Sequence, residues 1–390
     1  MEKKGLFMAG VFCLLVSLAV VGPAEAKTIK IGCLLTTTGD LGPMGTRMAN
    51  AGKLAIDQIN AQGGLLGKKV ELILENDNCE PAKGLERIKK LIDVNGVKVI
   101  VGPMISGSSF SAGPYASRKK VPMITPSATA AKLSKQRWTK WFFRTCLRDD
   151  LQAKVLSDVI MEKGFTRLAT FVLDNTYGQG LEIALVDLLK QAGWKGKHVA
   201  SVRYDQTKKD YLTQLQQIKS SKPDVIFAST YCDDGIIVFK QALALGLDRI
   251  PWLGCDGNYG SGLFKEAKSA EFMEKAFLAG TRSAGGLTKT YDTFAAAYKK
   301  KYGEAPEVYC DTTYDAVWAV ARAIKKAGKY DGKTIRDAME TLEFEGASGP
   351  IAFNKTCDRA SGTFELWKVE KQPAARYGYK NVRIKLVTIK

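Results

Sequence analysis

From residue 28 onward, short apolar runs rich in β-branched residues alternate with segments of helical period, and the alternation begins afresh at Asp149. Strands joined through helices pair parallel, because only a crossover brings the chain back to the end of the sheet it left. Two such series in a chain of 390 residues specify two doubly wound α/β lobes facing each other across a cleft. The pattern is sharpest in residues 97–129. Residues 97–101 read as a strand buried on both faces and stopped by Gly102-Pro103, after which Ser106, Ser108 and Ser109 open a helix of small residues that ends at Arg118. A second strand, 121–125, runs into Pro126-Ser127-Ala128-Thr129. Two adjacent strands therefore end in hydroxyl residues at helix starts, where free amide hydrogens and a positive dipole end suit a carboxylate.

The first series starts with a strand at 28–35, a polar turn and a helix at 45–61 whose Met48, Gly52, Ala55 and Ile59 share one face. A strand at 69–75 and a helix with Leu85, Ile88 and Ile92 inward precede the stretch above. In the second series, Leu151, Val155 and Val159 mark a helix, and strands at 167–173, 199–204, 224–229 and 250–254 are each followed by a helical segment. Helices at 287–302, 309–327 and 332–342, a hairpin at 344–354 and strands at 363–370 and 382–388 come last. So many helices followed by late strands imply that the chain returns to the first lobe and then crosses back. A hinge of several short crossings resists twist and permits opening and closing.

Several classes of function are excluded. His198 is the only histidine and reads as lying in the linker before a strand, which removes Ser-His-Asp catalysis and HExxH zinc sites. Gly63-Gly64-Leu65-Leu66-Gly67-Lys68 lacks the spacing of a phosphate loop. No enzyme, cofactor or metal is expected. The formal charge is +18, but the lysines are spread from Lys53 to Lys390 without a continuous basic arm. The aromatic-basic stretch 135–144 reads as covering a strand that leads into an interdomain crossing, so nucleic acid is not an expected partner. Lys3 and Lys4, an apolar run at 6–21 and Ala24-Glu25-Ala26 read as a cleavable signal peptide at 1–26, which places the mature protein, soluble, in the periplasm. Cys13 lacks the small residues that precede a lipidated cysteine. Seven cysteines remain in the mature chain, an odd number without CxxC, and Cys232 with Cys255 is the preferred pair.

Tyr177, Tyr231 and Asp256 each pass for turn residues, yet all three lie at strand C-terminal ends of the second series, where such folds build their ligand walls. Hydroxyls of one lobe then face a carboxylate and phenols of the other. That arrangement fits a zwitterion, with its carboxylate on the Ser106 and Thr129 side and its ammonium on Asp256.

The segments GCLLTTTGDLGPMG (32–45), AIDQINAQGG (55–64), DNCEPAKG (77–84), VGPMISGSS (101–109), ITPSAT (124–129), DNTYGQG (174–180) and GCDG (254–257) occur in family order. Together they make the chain resemble the periplasmic branched-chain amino acid (Leu/Ile/Val) binding proteins, type I solute-binding components of ABC transporters. The resemblance implies a type I periplasmic binding protein fold with three crossovers. Its N-terminal lobe would be 27–146 plus 281–358, and its C-terminal lobe 147–280 plus 359–390. It also implies that Ser106, the backbone near Met104 and Ser127, and Thr129 hold the ligand carboxylate. Asp256 would meet the ammonium beside Tyr231, and Tyr177 would close over the ligand. Met44 stands where the best-known members carry a tryptophan against the ligand side chain, and the family's disulfide partner of Cys79 would fall at Ile105. The implied function is a monomeric receptor that delivers a branched or other apolar amino acid to inner-membrane permease subunits. The alternative on the same fold is a binding protein for an amide, urea or aromatic acid. An exported enzyme would need a nucleophile and base in the cleft, and an adhesion module would bind no soluble ligand.

Overall fold

The computed structural model describes residues 1–2 and 28–389; the rest of the signal peptide read at 1–26, including Cys13, lies outside the described residues. β1 (Ile29–Leu35) is followed by α1 (Gly42–Ala61), β2 (Val70–Asn76), α2 (Pro81–Lys89), β3 (Ile100–Val101), α3 (Ser106–Arg118), β4 (Met123–Thr125) and β5 (Phe142–Arg144). These strands form one parallel sheet in the order β2-β1-β3-β4-β5. The strand order reverses between β1 and β3, which opens a crevice at their C-terminal ends. β3 is shorter than the apolar run 97–101. Its neighbour Pro122 has no amide hydrogen to extend the ladder, although the Pro122 carbonyl still accepts from Ile100 N at 3.0 Å.

The second half runs α4 (Asp149–Glu162), β6 (Arg167–Leu173), α5 (Thr176–Gln191), β7 (Lys197–Tyr204), α6 (Leu212–Ser220), β8 (Val225–Ser229), α7 (Cys232–Ala244), β9 (Trp252–Gly254), α8 (Ala267–Ala276) and β10 (Phe277–Ser283). After it come α9 (Lys289–Tyr302), α10 (Cys310–Ala327), α11 (Gly332–Met339), the hairpin β11 (Glu343–Gly346) with β12 (Gly349–Ala352), and finally β13 (Gly362–Lys371) and β14 (Tyr379–Ile389). The second sheet is ordered β14-β13-β10-β9-β8-β6-β7. It is parallel from β10 to β7, and β13 and β14 add to it antiparallel. A short turn rather than a helix joins β13 to β14, and so direct a return pairs only antiparallel. β10 was not legible as a strand, because Gly280, Thr281 and Arg282 interrupt its apolar run. His198 lies within β7 rather than in a linker, with Nε2 2.9 Å from the Thr170 hydroxyl. No described helix is long and apolar enough to cross a membrane.

Residues 145–148, 284–288 and 353–361 connect the elements of the two sheets. Two of these crossings are stitched by charge. Arg144, fully buried, pairs with Asp358 at 2.6 Å, and Asp358 also meets Arg148 at 3.0 Å. The Arg359 guanidinium donates to the carbonyl oxygens of Thr145 (2.9 Å) and Ser348 (2.6 Å). α10 packs against α1, so residues from late in the chain cover the sheet formed by the first strands.

Candidate functional site

The C-terminal ends of both sheets enclose a cavity lined by Leu41, Met44, Met104, Ile105, Ser106, Ser127, Tyr177, Tyr231, Asp256, Gly257 and Tyr309. Its empty space, counting the mouth, is about 380 Å³. One wall belongs to the first sheet. α1 can begin close under β1 only because position 45 is glycine, where a Cβ would lie 1.8 Å from the Thr36 carbonyl oxygen. This tight entry brings Met44 to the cavity. Ser106 is the first residue of α3 and accepts from Ala130 N at 3.3 Å. Ser127 donates to the Met104 carbonyl at 2.8 Å, tying the turn after β4 to the turn after β3. Thr129 is buried behind this wall and does not line the cavity, and its hydroxyl has no hydrogen-bond partner.

The opposite wall belongs to the second sheet. Tyr177 sits in the first turn of α5, where the Asn175 side chain caps the helix by accepting from Tyr177 N and Gly178 N, both at 3.0 Å. Tyr231 is the N-cap residue of α7, and its ring stacks on that of Tyr177 with centroids 5.9 Å apart. Asp256 follows β9 and is 5% exposed. Its Oδ1 accepts from the Tyr177 hydroxyl (2.8 Å) and from Gln152 Nε2 (2.7 Å), and its Oδ2 accepts from the Tyr309 hydroxyl. Burial, reinforced by the charge of Asp256, pushes the Tyr177 and Tyr309 phenols well above their ordinary range. Both therefore remain protonated donors.

Three polar residues of this site escaped the sequence reading. Tyr309, at the start of α10, holds a left-handed backbone with φ of 66°. Gln152 on α4 has its amide fixed by Thr281 Oγ1 (2.9 Å) and Asp256 N (3.0 Å), both donating to its Oε1. Its Nε2 also reaches the buried Asp149, whose Oδ1 accepts at 3.3 Å. Burial, and then the neighbouring Asp256, hold the Asp149 carboxyl well above the usual carboxylate range. Asp149 and Gln152 stand three apart on one helix face, the one sequence signal that joins them; nothing in the sequence ties either to Asp256.

The proposed Cys232–Cys255 pairing is corrected, since all described cysteines are free. Cys232 turns toward Gly262, whereas Cys255 meets the Tyr177 hydroxyl at 3.0 Å. Among the described residues, no group of three or more His, Cys, Asp or Glu side chains could hold a metal ion.

A ligand space at the strand ends of two α/β lobes, walled by hydroxyls on one side and by a carboxylate with phenols on the other, defines a two-lobed solute-binding protein. The chain belongs to the periplasmic binding protein family, whose sequence profile matches residues 28–373, and it has the type I fold of that family. It is 31% identical over 368 residues to the Leu/Ile/Val-binding protein BraC3 of Rhizobium johnstonii, covering 91% of this chain and 95% of that protein. LivJ from Streptococcus pneumoniae, solved in complex with isoleucine, superposes with a TM-score of 0.78 at 27% identity, covering 92% of this chain and 100% of LivJ. A solute-binding protein of an ABC transporter from Rhodopseudomonas palustris BisB5, solved with 3,4-dihydroxybenzoic acid, superposes with a TM-score of 0.79 at 26% identity, covering 92% and 97%.

Proposed function

We propose that the protein is the periplasmic receptor of an ABC importer, a monomer that captures a branched or other apolar amino acid and delivers it to the membrane permease. The ligand carboxylate lies on the first wall, against Ser106 and the backbone around Met104 and Ser127, with Thr129 behind. Its ammonium faces Asp256, flanked by Tyr177, Tyr231 and Tyr309, and its side chain rests on Leu41, Met44 and Ile105. The observation that carries this reading is the buried Asp256 carboxylate opposite the start of α3 within one cavity. Lobes 27–146 plus 281–358 and 147–280 plus 359–390 close on the ligand, and removal from water strengthens the hydrogen bonds at both charged ends. The chemistry is binding without turnover.

A second reading, an aromatic acid as ligand, is favoured by one feature. Asp256 already receives three neutral donors, so a ligand without an ammonium leaves no charge uncompensated by hydrogen bonds. A thermal-shift screen against the twenty amino acids, urea, short amides and benzoate-type acids separates the two, because stabilisation grows with the logarithm of ligand excess over Kd. Shifts with leucine, isoleucine or valine support the first reading. Asp256→Asn then weakens binding by about 3 kcal/mol, the scale of an ammonium left without its charged partner. Shifts confined to benzoate-type acids support the second.

A further inference from the structure

At the end of the first sheet opposite the cleft, Lys30, Lys68, Lys98 and Lys329 line one basin together with Thr28, Leu66 and Tyr330. They come from the start of β1, the turn before β2, the approach to β3 and the segment after α10. Tyr330 fixes this convergence, since its hydroxyl donates to the Lys30 carbonyl and accepts from Lys98 N at 3.0 Å. All four lysines are exposed, no acidic residue lines the basin, and among the described residues none of the four takes part in an ion pair. Some other surface lysines are paired, among them Lys83 with Glu80, Lys154 with Asp158, Lys275 with Glu271 and Lys333 with Asp337. Four cationic side chains thus converge on one basin with no acidic residue in its lining.

Apolar side chains border the same basin. Leu66 is 40% exposed at the tip of a two-residue turn closed by Leu65 and Lys68, and its φ of 51° is one that bulky side chains rarely adopt. Folding alone favours asparagine or glycine at such a tip, so an exposed leucine there points to a use outside the fold. Val94, 76% exposed, stands two residues before Gly96, which lines the basin. Lysines beside apolar tips match an anionic bilayer surface, where the ammonium groups meet lipid phosphates and the apolar tips enter the headgroup boundary.

We infer that the Lys30, Lys68, Lys98 and Lys329 basin is a docking surface for an anionic phospholipid membrane, holding the protein with its cleft turned away from the lipid. This goes beyond the proposed transport role and does not rest on it.

The test is co-sedimentation of the mature full chain with phosphatidylglycerol-phosphatidylcholine vesicles and with phosphatidylcholine vesicles, at low and at physiological salt. Binding to the anionic vesicles alone, falling as salt rises, is expected. The K30Q/K68Q/K98Q/K329Q variant should bind about tenfold more weakly or worse, and L66N several-fold more weakly. K163Q/K195Q/K240Q/K268Q removes the same charge from the second half of the chain and should stay within about twofold of wild type. Thermal midpoints of all variants verify folding, and single lysine variants replace the quadruple one if it unfolds. Equal binding to both vesicle types, equal loss in both quadruple variants, or no vesicle binding at all overturns the proposal; the last outcome assigns the basin to an acidic protein surface.

Discussion

The Tyr309 hydroxyl donates to Asp256 Oδ2, so a residue at the start of α10 and one at the end of β9 meet at a single carboxylate across the cleft. This bond ties together elements associated with different sheets, and it forms only when they are close. Hydrogen bonds to charged groups contribute about 1.5–3 kcal/mol. Tyr309→Phe should therefore loosen closure and weaken ligand binding about tenfold or more, read by titration calorimetry with the ligand found by thermal shift. An unchanged Kd would show that this contact plays no part in closure.

Gln152 stands between two buried carboxyls, and Gln152→Met removes the nitrogen that serves both. Asp149 then loses its Gln152 donor, and Asp256 Oδ1 keeps only Tyr177. Each buried acceptor left unpaired costs about 1–3 kcal/mol. Thermal midpoint and affinity should both fall. Adding Asp149→Asn to that variant should recover stability as pH rises, because it removes a carboxyl whose ionisation burial and Asp256 both oppose. No recovery would mean that Asp149 does not repel Asp256.

Two buried acids make stability depend on pH near neutrality. Burial pushes Asp234 up to about 7 and Asp315 up to about 6, against about 3.9 for an unfolded aspartate. The folded chain thus holds these protons more tightly than the unfolded one. Their contribution is complete below about pH 4 and is lost as pH rises through 6 and 7. The unfolding midpoint should drop between about pH 5 and pH 8. Asp234→Asn should flatten the upper part of that drop, since its side-chain oxygen can still accept from Tyr231 N. A midpoint flat across this range would contradict the burial argument.

Asp358 has the opposite sign. Burial raises its carboxyl, but the Arg144 guanidinium and its hydrogen-bond donors outweigh that effect and hold it below the ordinary range. The pair stabilises the fold above the unfolded value and is lost as the solution becomes strongly acid. Asp358→Ala strands a fully buried arginine and should cost about 3–5 kcal/mol, read as a lower urea midpoint. Arg144→Met with Asp358→Leu should cost much less, because no charge is then left buried alone.

The strand-helix series and the strand ends that carry Ser106, Ser127, Tyr177, Tyr231 and Asp256 were legible because glycine, proline and hydroxyl residues mark strand ends, whereas Met44 and Met104 came from the family resemblance. What escaped depends on contacts between distant segments. Tyr309, Gln152 and Asp149 reach Asp256 only after the two halves of the chain have met. Thr129 belongs to the right turn, yet its hydroxyl turns inward. Cys232 and Cys255 follow neighbouring strands, as the sequence indicated, but Tyr177 takes up one sulfur and the Gly262 turn faces the other. β10 pairs with β9 and β13 although its own sequence is a poor strand, since the Trp367 ring fills the space left by Gly280.

The packing of α10 on α1 also makes the first sheet depend on the far end of the chain. Residues 29–144 contain every strand of the first sheet, but a helix that covers it arrives only at 310–327, and the second sheet waits for strands beyond residue 361. A chain cut before residue 310 therefore lacks both the helix that packs on α1 and the antiparallel edge of the second sheet.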